Sequence, residues 1–248
     1  AHGSAVSRAT LEDLLGHRAG LLHWAPFYKM VAPQYAGNEG ARRLVLDAVM
    51  ATPRAATGSV RYSDLGYVLL GECLTEIARE PLGAVIAREV SGPLGLASRV
   101  TYRGVGEQWR DAEIAPTEDC AWRGRVVQGE VHDENAYALG GVAGHAGLFG
   151  TARDVVTLGR AALDCLGGES AWFEPAVMRE MIAPRAGGAH RLGWDGRGAQ
   201  SPSSGERMGP RTFGHLGFTG TSLWCDPDHD IAIALVTNRV HPTRENGG

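Results

Sequence analysis

Two apolar runs near the end of the chain, Thr221 to Cys225 and Ile231 to Thr237, are separated only by Asp226, Pro227, Asp228, His229 and Asp230. Both runs are strand-sized, and the residues between them have the composition of a turn. Strands joined by so short a link pair antiparallel, because a parallel return needs a crossover of about a dozen residues or more. The earlier sequence has helical periodicity instead. Leu11, Leu14 and Leu15 form a short stripe behind a capping-box pattern, Thr10 to Asp13, and Gly16 ends it. A helix is expected from about Glu39 to Met50, with Leu44, Val45, Ala48 and Val49 inward and Pro53 beyond its end. From Ser63, the residues Leu65, Val68, Leu69, Cys73 and Ile77 recur every three or four positions, and Pro81 follows. Leu82 to Val90 reads as a further helix. Thr151 to Leu166 reads as another, capped by Thr151 and Asp154 with Val155, Val156, Leu158, Ala162 and Leu166 apolar, and Pro175 to Ile182 as a last one.

Helices first and a hairpin last predict an α+β fold with segregated parts. Residues 1–150 are expected to form a mainly helical and loop region, and 151–248 a helix with antiparallel strands, together one unit. Residues 101–150 are expected to be a long loop, the kind more often functional than idle. Residues 185–210 read as loops around one short strand, Arg191 to Trp194.

Composition removes several classes of function. The 248 residues are 44% hydrophobic and 21% charged, as in a globular chain rather than a disordered or fibrous one. The net charge of −4 is spread along the chain and leaves no footprint for nucleic acid. No apolar run approaches the roughly 20 residues of a membrane helix. Cys73, Cys120, Cys165 and Cys225 form no Cys-x-x-Cys pair, so they are expected to be reduced and buried. No signal-peptide core follows Ala1, and the compartment stays open.

Three segments carry chemistry. Tyr62, Ser63 and Asp64 stand at a predicted helix N-terminus, where free N–H groups and the helix dipole favour an anion such as a phenolate; the plainer reading is a Ser63 or Asp64 cap with a packed tyrosine ring. Gly214 to Ser222 holds Gly214, Gly217 and Gly220 around His215, so that a ligand can approach the backbone or the chain can simply bend there. His132, Asp133 and His145 lie in a glycine-rich stretch, but they lack helical spacing and a clear further ligand, so a loop beside a pocket is expected rather than a metal site.

Together, "LEDLLGHRAGL", "RYSDLGYVLLGECL", "GPLGL", "IAPTEDCAWRGRVVQGEVHDENAYALGGVAGHAGLFGTARD" and "GHLGFTGTSLWCDPDHDIAIALVTNRVHPTREN" resemble the serine β-lactamase and penicillin-binding-protein superfamily, in its class-C-like branch. The resemblance implies a β-lactamase/transpeptidase-like fold and cofactor-free acyl transfer through a serine, acting on an ester, amide or peptide-like substrate. Three motifs line the cleft of such enzymes. The tyrosine motif is matched by Tyr62 and Asp64, with aspartate where many members carry asparagine. The motif of the substrate-facing strand at the sheet edge is matched by His215 and Gly217. Phe218 follows at the position that supplies an oxyanion-binding N–H.

The Ser-x-x-Lys motif, which holds the nucleophile and its activating lysine, has no match. Lys29 is the only lysine among 24 basic residues, and Pro26 stands three positions before it. The resemblance therefore implies a fragment, inactive alone, that lacks the N-terminal strands, the nucleophile helix and a final helix, so that Ile231 to Thr237 is left partly uncovered. The alternative is a non-catalytic pseudoenzyme or binding protein on the same fold. An imidazole at position 215 also replaces a permanent cation with a mostly neutral group, which implies a weaker hold on a substrate carboxylate and a preference for esters or small amides.

Overall fold

The computed structural model describes residues 8–55, 60–106, 114–170 and 172–246. The helical part comprises α1 (Leu11–Leu15), α2 (Glu39–Ala51), α3 (Asp64–Ala78), α4 (Leu82–Ile86) and α5 (Glu134–Ala138). The remainder places α6 (Ala152–Gly167) and α7 (Pro175–Ile182) against an antiparallel sheet of β5 (Asp195–Gly196), β6 (Phe213–Gly217), β7 (Thr221–Asp226) and β8 (Ile231–Val236), in that order. Two small ladders join the loops: β1 (Thr101–Tyr102) with β4 (Leu148–Phe149), and β2 (Asp119–Cys120) with β3 (Arg125–Val126). This is the expected α+β architecture, and the β7–β8 hairpin pairs Asp226 with Ile231 across the predicted turn.

Local chemistry sets the helix ends. Thr10 Oγ1 accepts from the Asp13 N–H at 3.0 Å while the Asp13 carboxylate accepts from the Thr10 N–H at 3.0 Å. Thr151 and Asp154 repeat the reciprocal bond at the start of α6. Two apolar cores follow. Leu14, Leu21, Val45, Val49, Leu65 and Val68 are buried in the first, and Leu163, Cys165, Met178, Phe213, Leu223 and Cys225 in the second. On β8, Ala232 and Ala234 pack inward, whereas Ile231, Ile233 and Leu235 stand in solvent.

Several expectations need correction. Leu44 and Ile77 are exposed, because no element covers their side of α2 and α3. Cys73 is only half-buried, although all four cysteines are free. The helix from Leu82 ends at Ile86 and widens into a π-turn over Ala87–Ser91, marked by the Gly92 N–H donating to Ala87 O at 2.7 Å. Arg191 to Trp194 is not a strand. The Arg191 N–H donates to Trp194 O at 2.8 Å and Gly193 has φ 78°, so these residues turn the chain between His190 and Asp195. Residues 101–150 hold the short strands β1 to β4 and the buried helix α5 rather than loop alone.

One close approach orders that stretch. Gly71 of α3 faces Gly144 so closely that a Cβ on Gly144 would lie 2.1 Å from Tyr67 O and 2.9 Å from the Gly71 N. Only glycine fits there, and the contact seats the loop carrying His145 on the first half of α3, between Tyr67 and Gly71.

Candidate active site

The segment before α3 is zipped to the residues after α1. The Arg61 N–H donates to His17 O at 2.9 Å and the Asp64 N–H to His23 O at 3.0 Å. Ser63 is the cap of α3: its Oγ accepts from the Gly66 N–H at 3.3 Å and donates to Leu22 O at 2.6 Å. That hydroxyl is committed to the fold and is not free to attack a substrate. Asp64 is the first helical residue, not the cap, so its carboxylate remains available to the cleft.

Tyr62 and His215 come together, with ring centroids 6.2 Å apart and planes 34° from each other. One ring is delivered by the α3 entry and the other by β6, so the helical part and the sheet meet here. β5 pairs with β6 only at Phe213 and Gly214, and the partner-free side of β6 therefore begins at His215. The sheet edge expected at this motif is a local one, since β6 as a whole lies between β5 and β7. Gly217 ends β6 and its carbonyl accepts from the Gly220 N–H at 3.0 Å, closing the turn into β7. Phe218 is 58% exposed, stacks on the His132 ring at 5.7 Å and lies under the Arg239 guanidinium at 4.7 Å.

Further side chains that the sequence did not single out crowd the same pocket. His17, His23 and His190 place their rings 4.5, 5.3 and 5.8 Å from Tyr62. Tyr67 packs on His17 at 5.1 Å. Asp195 bonds His190. Positions 17, 23, 190 and 215 share no periodicity, and only the tertiary fold gathers them. The one sequence signal is that nine histidines are many for a chain with a single lysine.

Hydrogen bonding fixes the tautomers. His17 Nδ1 accepts from the Ser63 N–H at 3.0 Å, so the proton of a neutral ring lies on Nε2. His215 Nδ1 donates to Leu216 O at 2.7 Å, leaving Nε2 as an acceptor. Burial, and then the neighbouring His190 and His215, pull the His17 pKa down to about 4.

Tyr62 moves the other way. Burial pushes its phenol above the ordinary value, and the adjacent Asp64 carboxylate adds to this. A phenolate is thus opposed here, whatever the α3 dipole contributes, and Tyr62 presents a hydrogen-bond donor. Burial also raises the Asp64 carboxyl, against the pull of His145.

His132, Asp133 and His145 do not converge. His132 Nε2 bonds Glu118 at 3.0 Å, while His145 Nε2 bonds Asp133 at 2.9 Å. The Asp133 carboxylate also caps α5 through the Ala136 N–H at 2.7 Å. These are two separate hydrogen-bonded pairs, and no cluster of three metal-ligating side chains occurs among the described residues. No helix of the described residues is long and apolar enough to cross a membrane.

Comparisons with known proteins bear on the family and the fold. A protein of Escherichia coli K12, provisionally named a D-alanyl-D-alanine carboxypeptidase, is 30% identical over 256 residues that cover 93% of this chain and 57% of that protein. An N-acetylmuramyl-L-alanine amidase of Bacillus subtilis is 31% identical over 250 residues, covering 92% of this chain and 56% of the amidase. The chain thus spans little more than half the length of these relatives. Among solved structures, the D-amino acid amidase of Ochrobactrum anthropi superposes with a TM-score of 0.62 at 18% identity, over 94% of this chain and 72% of the amidase. An octameric penicillin-binding-protein homologue of Pyrococcus abyssi gives 0.63 at 16% identity, over 92% of this chain and 51% of its own. These two likenesses concern the fold. The Beta-lactamase family description matches residues 2–247, and the chain belongs to that family.

Proposed function

We propose that this chain forms the substrate cleft of a serine acyl hydrolase that cleaves an ester, amide or peptide-like carbonyl, with the nucleophile supplied by a Ser-x-x-Lys motif outside these 248 residues. The observation that carries this reading is the 6.2 Å approach of the Tyr62 and His215 rings across a junction of helix and sheet. In the acylation step the serine oxygen bonds to the carbonyl carbon, and the oxyanion accepts from the Phe218 backbone N–H, a donor of a kind worth about 3 kcal/mol. Asp64 accepts the Tyr62 O–H in the free cleft, and the neutral phenol turns that single proton to the leaving group when substrate is bound. Water then releases the acyl group. His215 offers Nε2 rather than a fixed cation, so neutral esters and small amides are favoured over carboxylate-bearing β-lactams. The names of the curated relatives point to cell-wall peptide chemistry, and N-acyl-D-alanyl peptides are the natural first probes.

The test uses the chain itself. With its histidine and tyrosine side chains labelled for NMR, titration with an N-acyl-D-Ala-D-Ala peptide and with the corresponding D-alanine ester is expected to shift the Tyr62 and His215 ring signals, the ester at lower concentration. Shifts confined to other residues refute the assignment of the cleft. The absence of Ser-x-x-Lys favours the competing reading, a non-catalytic binding member. A longer form of the protein separates the two: reaction of a serine with a fluorophosphonate supports the hydrolase, and a full-length protein inert to the probe supports the binding protein.

A further inference from the structure

The turn carrying His190 and Asp195 has no part in the acyl-enzyme reading, yet both side chains enter the same pocket. Asp195 Oδ1 lies 2.5 Å from His190 Nδ1, and the two side chains are 21% and 27% exposed, buried enough to be held and open enough to meet solvent. A carboxylate accepts, so the bonded nitrogen carries the proton and Nε2 presents its lone pair. The mount is rigid. Asp195 faces Gly214 across β5 and β6, the Gly196 N–H donates to Ala189 O at 2.7 Å, and the Leu192 N–H donates to Met181 O at 3.0 Å. The His190 ring stands 5.8 Å from Tyr62 and 5.1 Å from His17. An imidazole oriented by a carboxylate, beside a phenol held neutral, supplies a base and an oxyanion donor without a nucleophilic side chain.

We propose that Asp195 and His190 form a second acid–base pair of the cleft, able to hydrolyse activated carboxylic esters by direct attack of water and independently of any serine. His190 Nε2 takes a proton from water as the water oxygen bonds to the ester carbonyl carbon, and the carbonyl π electrons move to the carbonyl oxygen, which accepts from the Tyr62 hydroxyl once that proton has turned from the Asp64 carboxylate. As the C=O bond re-forms, the bond to the aryloxide breaks, and the proton on His190 passes to that leaving group. The products are a carboxylic acid and a phenol. Besides Asp195, the titratable groups facing His190 are His17 and Tyr62, while His215 on β6 acts on Asp195 and His17.

The test is hydrolysis of p-nitrophenyl acetate by the 248-residue chain. The chain is expected to exceed free imidazole at equal concentration, to be insensitive to fluorophosphonate, and to run more slowly in heavy water. His190→Gln is expected to lose at least about tenfold, the lower end of what positioned acid–base groups contribute. Asp195→Asn is expected to lose less and to move the acid limb of the pH–rate profile, where the base takes up its proton, to lower pH, which a merely structural partner would not do. His229→Gln, at a surface imidazole bonded to Asp226, is expected to leave the rate unchanged. Both dyad variants are checked for an unaltered melt, and if His190→Gln fails to fold, Asp195→Asn decides through its pH profile. Hydrolysis no faster than free imidazole, loss of activity after fluorophosphonate treatment, or an acetylated His190 without an isotope effect would each overturn the proposal. The first and third leave the serine-hydrolase reading standing, and the second would place a reactive serine within these residues, against that reading as well.

Discussion

Lowering the pH should unfold this protein partly through one residue, His17. Its side chain is sealed, the residue being 5% exposed, and its Nδ1 already accepts the Ser63 N–H. Protonation must therefore place a charge in a desolvated site beside His190 and His215, and the folded-state pKa is about 4 against an ordinary 6.5. The folded value lies below the unfolded one, so the unfolded chain takes up the proton first. Stability is whole above about pH 6.5, falls as the pH drops from there to about 4, and levels off below. Across that whole window the cost is about 3 kcal/mol, of which about 2 kcal/mol is already lost at pH 5. Urea melts at about pH 7.5 and pH 5, on the wild type and on His17→Gln, isolate the effect, because the amide can accept the Ser63 N–H but does not titrate. The wild type should lose about 2 kcal/mol more than the variant between the two conditions. Equal losses, or a His17 ring signal that titrates near 6.5, would refute the burial argument.

Three further outcomes follow from named contacts. Arg244 bonds both Glu118 oxygens and also Glu134, and the Glu118 carboxyl is held down to about 2 by that guanidinium against the opposing effect of burial, so Arg244→Ala should cost about 3 kcal/mol in a denaturant melt at pH 7. Because the folded Glu118 pKa is depressed, the contribution of the pair is present above about pH 4.5 and fades as the pH falls towards 2, and the variant should approach the wild type there. Gly144→Ala pushes a methyl into Tyr67 O and should lower stability by several kcal/mol, about the upper end for single substitutions, whereas Gly40→Ala, inside α2 with its nearest neighbouring atom 3.5 Å from the new methyl, should cost far less. Asp64→Asn removes the carboxylate that opposes Tyr62 ionisation, so the tyrosine absorbance titration should move one phenol to lower pH.

The parts of the fold that depend on neighbours in sequence could be read directly. Both capping boxes, the proline-led α7 and the β7–β8 hairpin are set by residues a few positions apart, and each lies within a residue or two of its expected place. Readings that depended on what lies opposite fared less well. Leu44 and Ile77 fit the apolar period of their helices but meet no covering element. Arg191 to Trp194 has the composition of a strand, but the open φ of Gly193 turns the chain there. The site divides in the same way. Tyr62, Asp64 and His215 could be found because they sit in recognisable strings, and the fold then brings Tyr62 and His215 within 6.2 Å. His17 lies in the family-like stretch "LEDLLGHRAGL", but nothing local marks its ring for the site, and His190 sits in an unremarkable string; their approach to Tyr62 is a product of tertiary folding.

The scarcity of lysine bears on the chemistry of the cleft as well as on its ancestry. A phenol becomes a base only where a nearby cation stabilises its anion. Here the single lysine, Lys29, lies in the turn Phe27–Met30, and the charge that acts most strongly on Tyr62 is the negative Asp64. The other polar rings around Tyr62 are imidazoles, and their tautomers are set by the backbone at His215, by Ser63 at His17 and by a carboxylate at His190. Among the described residues the phenol presents a donor and the imidazoles present acceptors, and a lysine of the proposed Ser-x-x-Lys motif would enter this cleft from outside these 248 residues. Substrates whose binding depends on a fixed cation should then discriminate against this chain by itself, while those recognised through a polarised carbonyl should not. Comparing the binding of an N-acyl dipeptide with that of its methyl ester measures this directly, and a clear preference for the free carboxylate would mean that Arg239, stacked on Phe218, reaches the substrate after all.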